Sequence, residues 1–239
     1  MSKITEILRD SLIDKKTKLS DEQYFKLSEF NDFLQQENKK HNLTAITNEK
    51  SVAIRHFLDS LMLAECKWFQ KAKKILDIGS GAGFPGIPLA IAYPDKEFFL
   101  VDSLRKRVDF INQAVDMLKL DNVIAIHDRA ETFSREESFR ETFDFVTARA
   151  VAEMAILSEY CLPATAIGGH FVSMKLTDSD DELEKATSAI EILGGKIVDS
   201  FRYQLPDDKE YELIVIEKVF NTPDKYPRRP GMPKKRPLL

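Results

Sequence analysis

The chain has 239 residues, of which 43% are hydrophobic and 31% charged, so it is long enough for one domain with an appendage and has an ordinary soluble composition. No apolar run approaches the roughly 20 residues that span a bilayer, and the N-terminus lacks the apolar stretch of a signal peptide. The two cysteines, Cys66 and Cys161, lie far apart, which excludes a disulfide scaffold or a cysteine zinc site and fits the cytoplasm. We therefore expect a cytoplasmic protein with no membrane or metal site.

The first part of the chain, residues 1–70, is predicted to be a helical N-terminal extension. Ser20 and Gln23 have the spacing of a capping box at the start of a helix. The apolar residues that follow at helical spacing are Leu27, Phe30 and Leu34. A further helical pattern covers residues 52–62, and no strand pattern interrupts these segments.

In residues 71–220, short apolar runs alternate with helical patterns, which is typical of an α/β fold with a mainly parallel sheet. The predicted strands are KKILDIG, EFFLVDS, NVIAIHD, FDFVTARA, HFVSMKL, KIVDSFRYQL and EYELIVIEKV. The predicted helices between them begin at Pro85, Leu104, Glu153 and Asp180. Only the turn 206–208 separates the last two strands, so they must pair antiparallel. The sequence predicts a Rossmann-like domain whose seven-stranded sheet has its last strand antiparallel.

Residues 221–239 form a basic, proline-rich C-terminal tail. It holds six basic residues against one acidic residue, so the net charge of −4 leaves −9 on the other 220 residues. The basic residues are Lys225, Arg228, Arg229, Lys234, Lys235 and Arg236. Four of the ten prolines lie between positions 227 and 237, which predicts that the tail contains neither a helix nor a central strand. Composition leaves two interpretations open, a contact with a polyanion or a solvated terminus.

The stretch LDIGSGAGFPG, residues 76–86, follows directly after a predicted strand. Its glycines, Gly79, Gly81 and Gly83, allow a tight turn and a close approach of the backbone to a ligand. Asp102 ends the next predicted strand, where doubly wound folds place the carboxylate that binds a ribose diol. The sequence therefore predicts an adenosine-containing cofactor at this edge of the sheet.

Two cofactors are compatible with this loop. GAGFPG matches the glycine pattern of a dinucleotide-binding loop, which is a weak indication by itself. Asp77, two residues before Gly79, would repel a pyrophosphate but suit a cationic, amine-bearing ligand. The chain also lacks a Tyr-x-x-x-Lys pair and a second domain large enough for hydride transfer. These observations favour S-adenosylmethionine, with a nicotinamide-dependent oxidoreductase as the alternative.

Longer motifs carry a resemblance to a known family. They are KKHNLTAIT, RHFLDSL, DIGSGAGFPGIPLAI, VDSLRKRVDF, DRAETF and TARAVA. Together they resemble the bacterial 16S ribosomal RNA (guanine-527-N7) methyltransferases, also known as glucose-inhibited division protein B, over essentially the whole chain. The resemblance implies a cytoplasmic class I methyltransferase that transfers the methyl group of S-adenosylmethionine to N7 of guanine 527 in 16S rRNA of the small ribosomal subunit. We expect it to be a monomer.

The resemblance also implies which residues contact the cofactor. They are Gly79, Phe84, Ala130, Glu131 and Arg149, to which the loop and its acidic partner add Gly81 and Asp102. Ala130 and Glu131 follow the third predicted strand, whose loop would reach the adenine ring. Arg149 ends the fourth strand at the edge where doubly wound sheets bind ligands, with a surface ion pair as the alternative. Phe84 is expected to be a ligand contact or a core residue.

Guanine N7 carries an in-plane lone pair, so its methylation requires no prior proton removal and depends chiefly on alignment. The chain accordingly lacks the Asn/Asp-Pro-Pro-Tyr stretch used for exocyclic amines. Arg149 and Lys175, each at a strand end, are the candidate catalytic residues. Cys161 lies in an apolar helical pattern and is expected in the core. His56 is expected to be a core histidine or to face RNA.

A third hypothesis is a non-enzymatic RNA-binding module, which the intact glycine loop and Asp102 disfavour. Because the acidic body would repel RNA, the tail is predicted to supply phosphate contacts. The glycine loop is remote from the tail in sequence. Removal of residues 221–239 is therefore expected to weaken RNA binding and leave cofactor binding intact.

Overall fold

A computed structural model describes residues 2–177, 180–207 and 209–238. The N-terminal part consists of consecutive helices. They are α1 (Lys3–Ser11), α2 (Asp21–His41), α3 (Glu49–Val52), a π-helical segment (Ala53–Leu58), α4 (Asp59–Met62), a 3₁₀ turn (Leu63–Glu65) and α5 (Lys67–Lys71). No helix in the described ranges is long and apolar enough to cross a membrane.

Seven strands and their connecting helices follow. They are β1 (Lys74–Ile78), α6 (Gly86–Ala92), β2 (Glu97–Asp102), α7 (Arg105–Leu118), β3 (Val123–His127), α8 (Ala130–Phe133), β4 (Phe143–Arg149), α9 (Met154–Cys161), β5 (Thr165–Leu176), α10 (Asp180–Ile192), β6 (Gly195–Gln204), β7 (Glu210–Lys218) and α11 (Met232–Lys235). The strand order is β3-β2-β1-β4-β5-β7-β6, and β7 runs antiparallel to both of its neighbours. The predicted seven-stranded sheet with an antiparallel last strand is confirmed; position 208 of the predicted turn lies outside the described residues.

The N-terminal helices share one hydrophobic core with the sheet. Ser20 and Gln23 form the predicted capping box, in which each side chain bonds the backbone N–H of the other residue. Downstream on α2, Phe30 is fully buried and packs against Phe57 and Phe84, with ring centroids 5.8 and 5.3 Å away. Phe57 belongs to the π-helical segment and Phe84 to the glycine loop. The extension is thus fixed against the loop that follows β1.

The parallel strands β1 to β4 end at one edge of the sheet. β1 lies at the centre, hydrogen-bonded to β2 on one side and β4 on the other. The loops after these strands therefore converge, as the switch-point rule for doubly wound sheets requires. They carry the glycine loop, Asp102, Ala130 with Glu131, and Arg149.

The C-terminal tail differs from its prediction. Met232–Lys235 form one helical turn, α11, with Pro233 in its first turn, so the expectation of no helix is wrong. Proline is tolerated there because the N–H groups of a first helical turn have no intrahelical partner. The tail also lies against the body: Arg140 donates to the carbonyls of Thr222 and Tyr226 at 2.6 and 2.9 Å. The interpretation as a wholly solvated terminus does not describe this segment.

Candidate active site

Two cavities open at the carboxyl edge of the sheet. The first has a volume of about 550 Å³ and the second about 540 Å³, both within the roughly 300–1,000 Å³ of typical small-molecule sites. Gly79 and Ala152 line both cavities, so the two meet at the glycine loop. Such a pair can hold two different molecules with their reactive ends at the shared wall.

The first cavity combines carboxylates with apolar walls. Asp102 comes from the end of β2, and Ala130 with Glu131 comes from the start of α8. Ile156 and Tyr160 of α9 add an apolar face and an aromatic ring. Burial, followed by the nearby carboxylates, raises the pKa of the Tyr160 hydroxyl to about 12, so it remains a hydrogen-bond donor at neutral pH. The lining suits a ligand with a flat, partly apolar body and several polar groups.

Asp102 fixes the glycine loop as well as lining the first cavity. Its carboxylate is 3% exposed; Oδ2 accepts from the Gly81 N–H and Oδ1 from the Leu104 N–H, each at 2.9 Å. Arg107 Nη1 lies 3.2 Å from Oδ2 and lines the second cavity. A carboxylate has about four acceptor sites, of which these three donors use three, so Asp102 can still accept from a further donor such as a ribose hydroxyl.

Gly79 has the backbone conformation that its position requires. Its φ of +74° lies in the left-handed region, which glycine adopts at no steric cost. A Cβ built on Gly79 would lie 2.6 Å from Cγ2 of Val151, which also lines the first cavity. The loops after β1 and β4 are therefore in close contact at the point where the cavities meet.

Asp77 does not lie where the sequence argument placed it. The carboxylate is 1% exposed and lies outside the lining of both cavities; its Oδ2 accepts from Gly86 N–H at 3.1 Å. Its Oδ1 has no hydrogen-bond partner among the described residues, and burial raises the pKa of the carboxyl group to about 7. Asp77 connects β1 to the start of α6. The prediction that its carboxylate contacts the ligand, and so favours S-adenosylmethionine over a dinucleotide, is therefore wrong.

Arg149 lies in the second cavity within a buried hydrogen-bonded group. Its Nη1 donates to Asp59 Oδ2 at 2.9 Å and to the Arg55 carbonyl at 3.1 Å. Tyr203 of β6 donates its hydroxyl to Asp59 Oδ1 at 2.6 Å. Buried charges need such partners, and here they come from the RHFLDSL motif, the ARAVA motif and β6. The ion pair is interior, so the alternative of a surface ion pair is wrong.

His56 and Phe84 form an aromatic wall of the second cavity. Their rings stack with centroids 4.7 Å apart, and the Arg149 guanidinium lies 5.5 Å from the Phe84 centroid. Thr44 Oγ1 lies 2.8 Å from His56 Nε2, whereas the buried Nδ1 has no partner among the described residues. Burial, assisted by the charge of Arg149, lowers the pKa of His56 to about 3. His56 is therefore a neutral, partly buried member of the cavity wall.

Lys175 at the end of β5 lines the second cavity but is held by other groups. Its Nζ donates to Glu182 Oε1 at 2.6 Å and to the Ala152 carbonyl at 3.1 Å. Glu182 also accepts from the backbone N–H of Met154. Lys175 thus connects β5 and α10 to the loop that separates the two cavities.

The C-terminal tail completes the first cavity. Gly231, Lys234 and Pro237 line it, and the Gly231 N–H donates to Glu131 Oε1 at 2.8 Å. The tail is remote from the glycine loop in sequence but close to it in space, because both line the same cavity.

The structure distributes the predicted site residues between the cavities. Gly79, Asp102, Ala130 and Glu131 line the first. Gly81, Phe84, Arg149 and Lys175 line the second, which Gly79 also borders. Sequence reasoning missed Asp59, although an acid inside an apolar helical run has to find a buried partner. It also missed the tail residues, whose composition gives no indication of docking.

Comparisons with known proteins agree with this geometry. The sequence profile of GidB, rRNA small subunit methyltransferase G, matches residues 23–205. Ribosomal RNA small subunit methyltransferase G from Staphylococcus saprophyticus is 46% identical over 92% of this chain and 92% of its own, and its counterpart from Desulforamulus reducens is 43% identical over the whole of both.

Among solved structures, the O-methyltransferase from Bacillus cereus in complex with SAH has a TM-score of 0.55 at 16% identity, covering 90% of this chain and 100% of that one. This likeness shows the class I methyltransferase fold. With a matching family profile and full-length relatives above 40% identity, the chain belongs to the GidB family of rRNA small subunit methyltransferase G proteins.

Proposed function

We propose that this protein transfers the methyl group of S-adenosylmethionine to N7 of guanine 527 in 16S rRNA of the small ribosomal subunit. The observation that carries the proposal is the pair of cavities that meet at Gly79 and Ala152. One cavity is suited to the cofactor and the other to a base. Their common wall is where a methyl group would pass from one molecule to the other.

The residues of the first cavity fit S-adenosylmethionine. Asp102 would accept from the ribose hydroxyls, and the Ala130–Glu131 segment would meet the adenine edge beside Ile156. The glycine loop, with Gly79 at φ +74°, leaves space for a ligand to approach the backbone. When bound, the cofactor supplies an electrophilic methyl group on a sulfonium sulfur.

The second cavity is suited to a flat base. His56 and Phe84 provide aromatic surface, and Arg149 provides a fixed cation whose guanidinium geometry matches the O6 edge of guanine. Guanine N7 would accept the methyl group through its own lone pair, so these residues would have to hold a base that becomes cationic and would not have to remove a proton. A neutral His56 would add no repulsion to that cationic base.

Alignment is the contribution that these residues can make. Arg149 is held by Asp59 and the Arg55 carbonyl before any substrate arrives, so it is already oriented. Lys175 is engaged by Glu182 and the Ala152 carbonyl, which suits a residue that positions the shared wall. We assign Arg149 to base recognition and Lys175 to positioning.

The remaining expectations belong to the same proposal. We propose that the protein acts in the cytoplasm, where ribosomes assemble, as a monomer and without a metal ion. We propose three parts, a helical extension of residues 1–70, a methyltransferase domain of 71–220 and a basic tail of 221–239. The extension contributes to the base cavity, because Thr44, Arg55 and His56 line it.

The decisive experiment combines purified protein, labelled S-adenosylmethionine and small subunits or 16S rRNA from cells lacking this activity. Label should enter one guanine, and chemical cleavage at N7-methylguanine should map it to position 527. Label at another atom or nucleotide would overturn the substrate assignment. Calorimetry with S-adenosylhomocysteine and with NAD tests the oxidoreductase alternative, which requires that NAD binds. RNA binding without methyl transfer would indicate a non-enzymatic RNA-binding module.

A further inference from the structure

The C-terminal tail is fixed to the body on its way to the first cavity. Arg228 forms a bidentate ion pair with Glu159 of α9, at 2.9 and 2.6 Å, and its backbone N–H donates to the same carboxylate at 2.7 Å. Glu159 is fully buried and Arg228 is 23% exposed. Arg135 donates to the Pro227 carbonyl at 2.8 Å. A tail that served only as a solvated cation would not need these interior contacts.

After this anchor, residues of the tail line the first cavity. The Gly231 N–H binds Glu131 Oε1 at 2.8 Å, and Glu131 is only 4% exposed. Lys234 and Pro237 line the same cavity as the strand-end residues Asp102 and Ile78. The anchor is close to the same wall, because Tyr160, next to Glu159 on α9, is a lining residue. Body and tail thus enclose the space together.

We propose that the tail is part of the cofactor site through four of its residues: Arg228 anchors the tail, the Gly231 N–H positions the Glu131 carboxylate, and Lys234 with Pro237 forms part of the cavity wall. The inference rests on the proposed function for the identity of the ligand. It adds tail residues to the proposed cofactor contacts Gly79, Asp102, Ala130 and Glu131, and Gly231 lies 100 positions after Glu131. An orienting partner for a binding carboxylate lowers the conformational cost of binding.

The test measures the Kd of S-adenosylhomocysteine by calorimetry on the full chain and three variants. One variant ends at Pro230, which keeps the Arg228–Glu159 anchor and removes the cavity wall. The others are Lys234→Ala and, as a matched control, Lys235→Ala, which removes the same charge from a neighbouring exposed residue outside the cavity lining. We expect at least a tenfold higher Kd for the truncation, a several-fold higher Kd for Lys234→Ala, and a Kd within twofold of wild type for Lys235→Ala.

A second measurement covers the case in which the truncated chain folds poorly. Hydrogen exchange of residues 229–238 in the full chain should slow when S-adenosylhomocysteine is added. Unchanged exchange, or an equal Kd for the truncated and full chains, would overturn the role of the tail. Absence of binding by the full chain would overturn the proposed cofactor itself, which distinguishes the two failures.

Discussion

Asp59 and Arg149 form a buried ion pair, with 2.9 Å between Oδ2 and Nη1, although 90 positions separate them in the chain. Asp59 lies in RHFLDSL and Arg149 in ARAVA, the two motifs most specific to the family resemblance. The side chains are 5% and 15% exposed. The contact therefore explains both motifs at once: each provides one side chain of a buried ion pair that lines the second cavity.

Arg149→Lys should remove most methyl transfer while the protein stays folded. In Arg149, Nη1 alone donates to Asp59 and the Arg55 carbonyl, which leaves the Nη2 and Nε edge of the planar guanidinium for the base. Lysine keeps the charge, but its single nitrogen cannot keep both contacts and also present such an edge. We expect about a 100-fold fall in kcat/KM, equivalent to about 3 kcal/mol. Arg105→Lys is the control, since Arg105 forms an exposed ion pair with Asp109 on α7. Wild-type activity in Arg149→Lys would make the Arg149 pair purely structural.

Asp102→Ala should weaken cofactor binding by about 1–3 kcal/mol, the scale of hydrogen bonds to a charged group. The substitution also frees the Gly81 N–H, so Asp102→Asn, which keeps one acceptor, should lose less. Asp109→Ala removes an exposed carboxylate and serves as the control. Calorimetry with S-adenosylhomocysteine measures all three. An unchanged Kd in Asp102→Ala would remove this carboxylate from the cofactor site.

Gly79→Ala should weaken cofactor binding as well as destabilise the fold. Gly168→Ala is the matched control, because Gly168 has φ +80° with nothing within 4 Å of an added Cβ. Both variants should lose about 1–2 kcal/mol of unfolding free energy from the left-handed conformation. Only Gly79→Ala should also raise the Kd for S-adenosylhomocysteine, by about tenfold or about 1.4 kcal/mol, since the added Cβ displaces Val151, which lines the first cavity.

The double variant Gly79→Ala/Val151→Ala distinguishes the steric clash with Val151 from the backbone strain at position 79. It should recover part of the lost affinity, because the added Cβ no longer meets Cγ2. Equal Kd values for the single and double variants would show that the collision has no part in the effect.

His56 should make the protein less stable in acid. Its pKa in the folded protein is about 3, below the ordinary 6.5, so the unfolded chain binds the proton more tightly. Stability is therefore retained above pH 6.5 and lost as pH falls towards 3, by about 2 kcal/mol at pH 5. His56→Gln should remove this contribution of His56 to the loss of stability in acid. Urea unfolding at pH 7.5 and pH 5 measures it, and equal losses in both proteins would contradict the prediction.

Replacing Lys234, Lys235 and Arg236 with glutamine should flatten the salt dependence of RNA binding. Each lost phosphate contact reduces the slope of log K against log salt by about 0.7 for single strands, so the slope should fall by about two. Arg228 is left in place because it is paired with Glu159. RNA affinity at several salt concentrations measures the slope. An unchanged slope would mean that Lys234, Lys235 and Arg236 do not contact phosphates.

The fold could be predicted because local patterns determine it. Apolar runs in 71–220 alternate with helical patterns, and the short connection at 206–208 forces the last pair of strands to be antiparallel. Asp102 could be placed because the strand-end position of such a carboxylate is set by the sheet itself. Each of these predictions depends only on residues that are near one another in the sequence, and none requires knowing which distant residues are in contact.

The contacts between distant segments could not be predicted in this way. Tyr203 reaches Asp59 across 144 positions, and Gly231 reaches Glu131 across 100. Neither contact has a periodicity or a motif of its own. The docking of the tail could not be predicted for the same reason. Its prolines and charges indicate only how the isolated segment would behave, whereas docking depends on tail carbonyls that accept hydrogen bonds from Arg135 and Arg140.

The wide distribution of the lining residues has a consequence for the order in which the two cavities form. The second cavity takes residues from Leu43 to Tyr211, and the first takes residues from Ile78 to Pro237. A ribosome synthesises the chain from the N-terminus, and domains fold as their residues emerge. A nascent chain that has emerged only to position 230 would therefore lack the three tail residues that line the first cavity. If these residues hold the cofactor as proposed, methyl transfer would begin only after residues 231–237 have emerged.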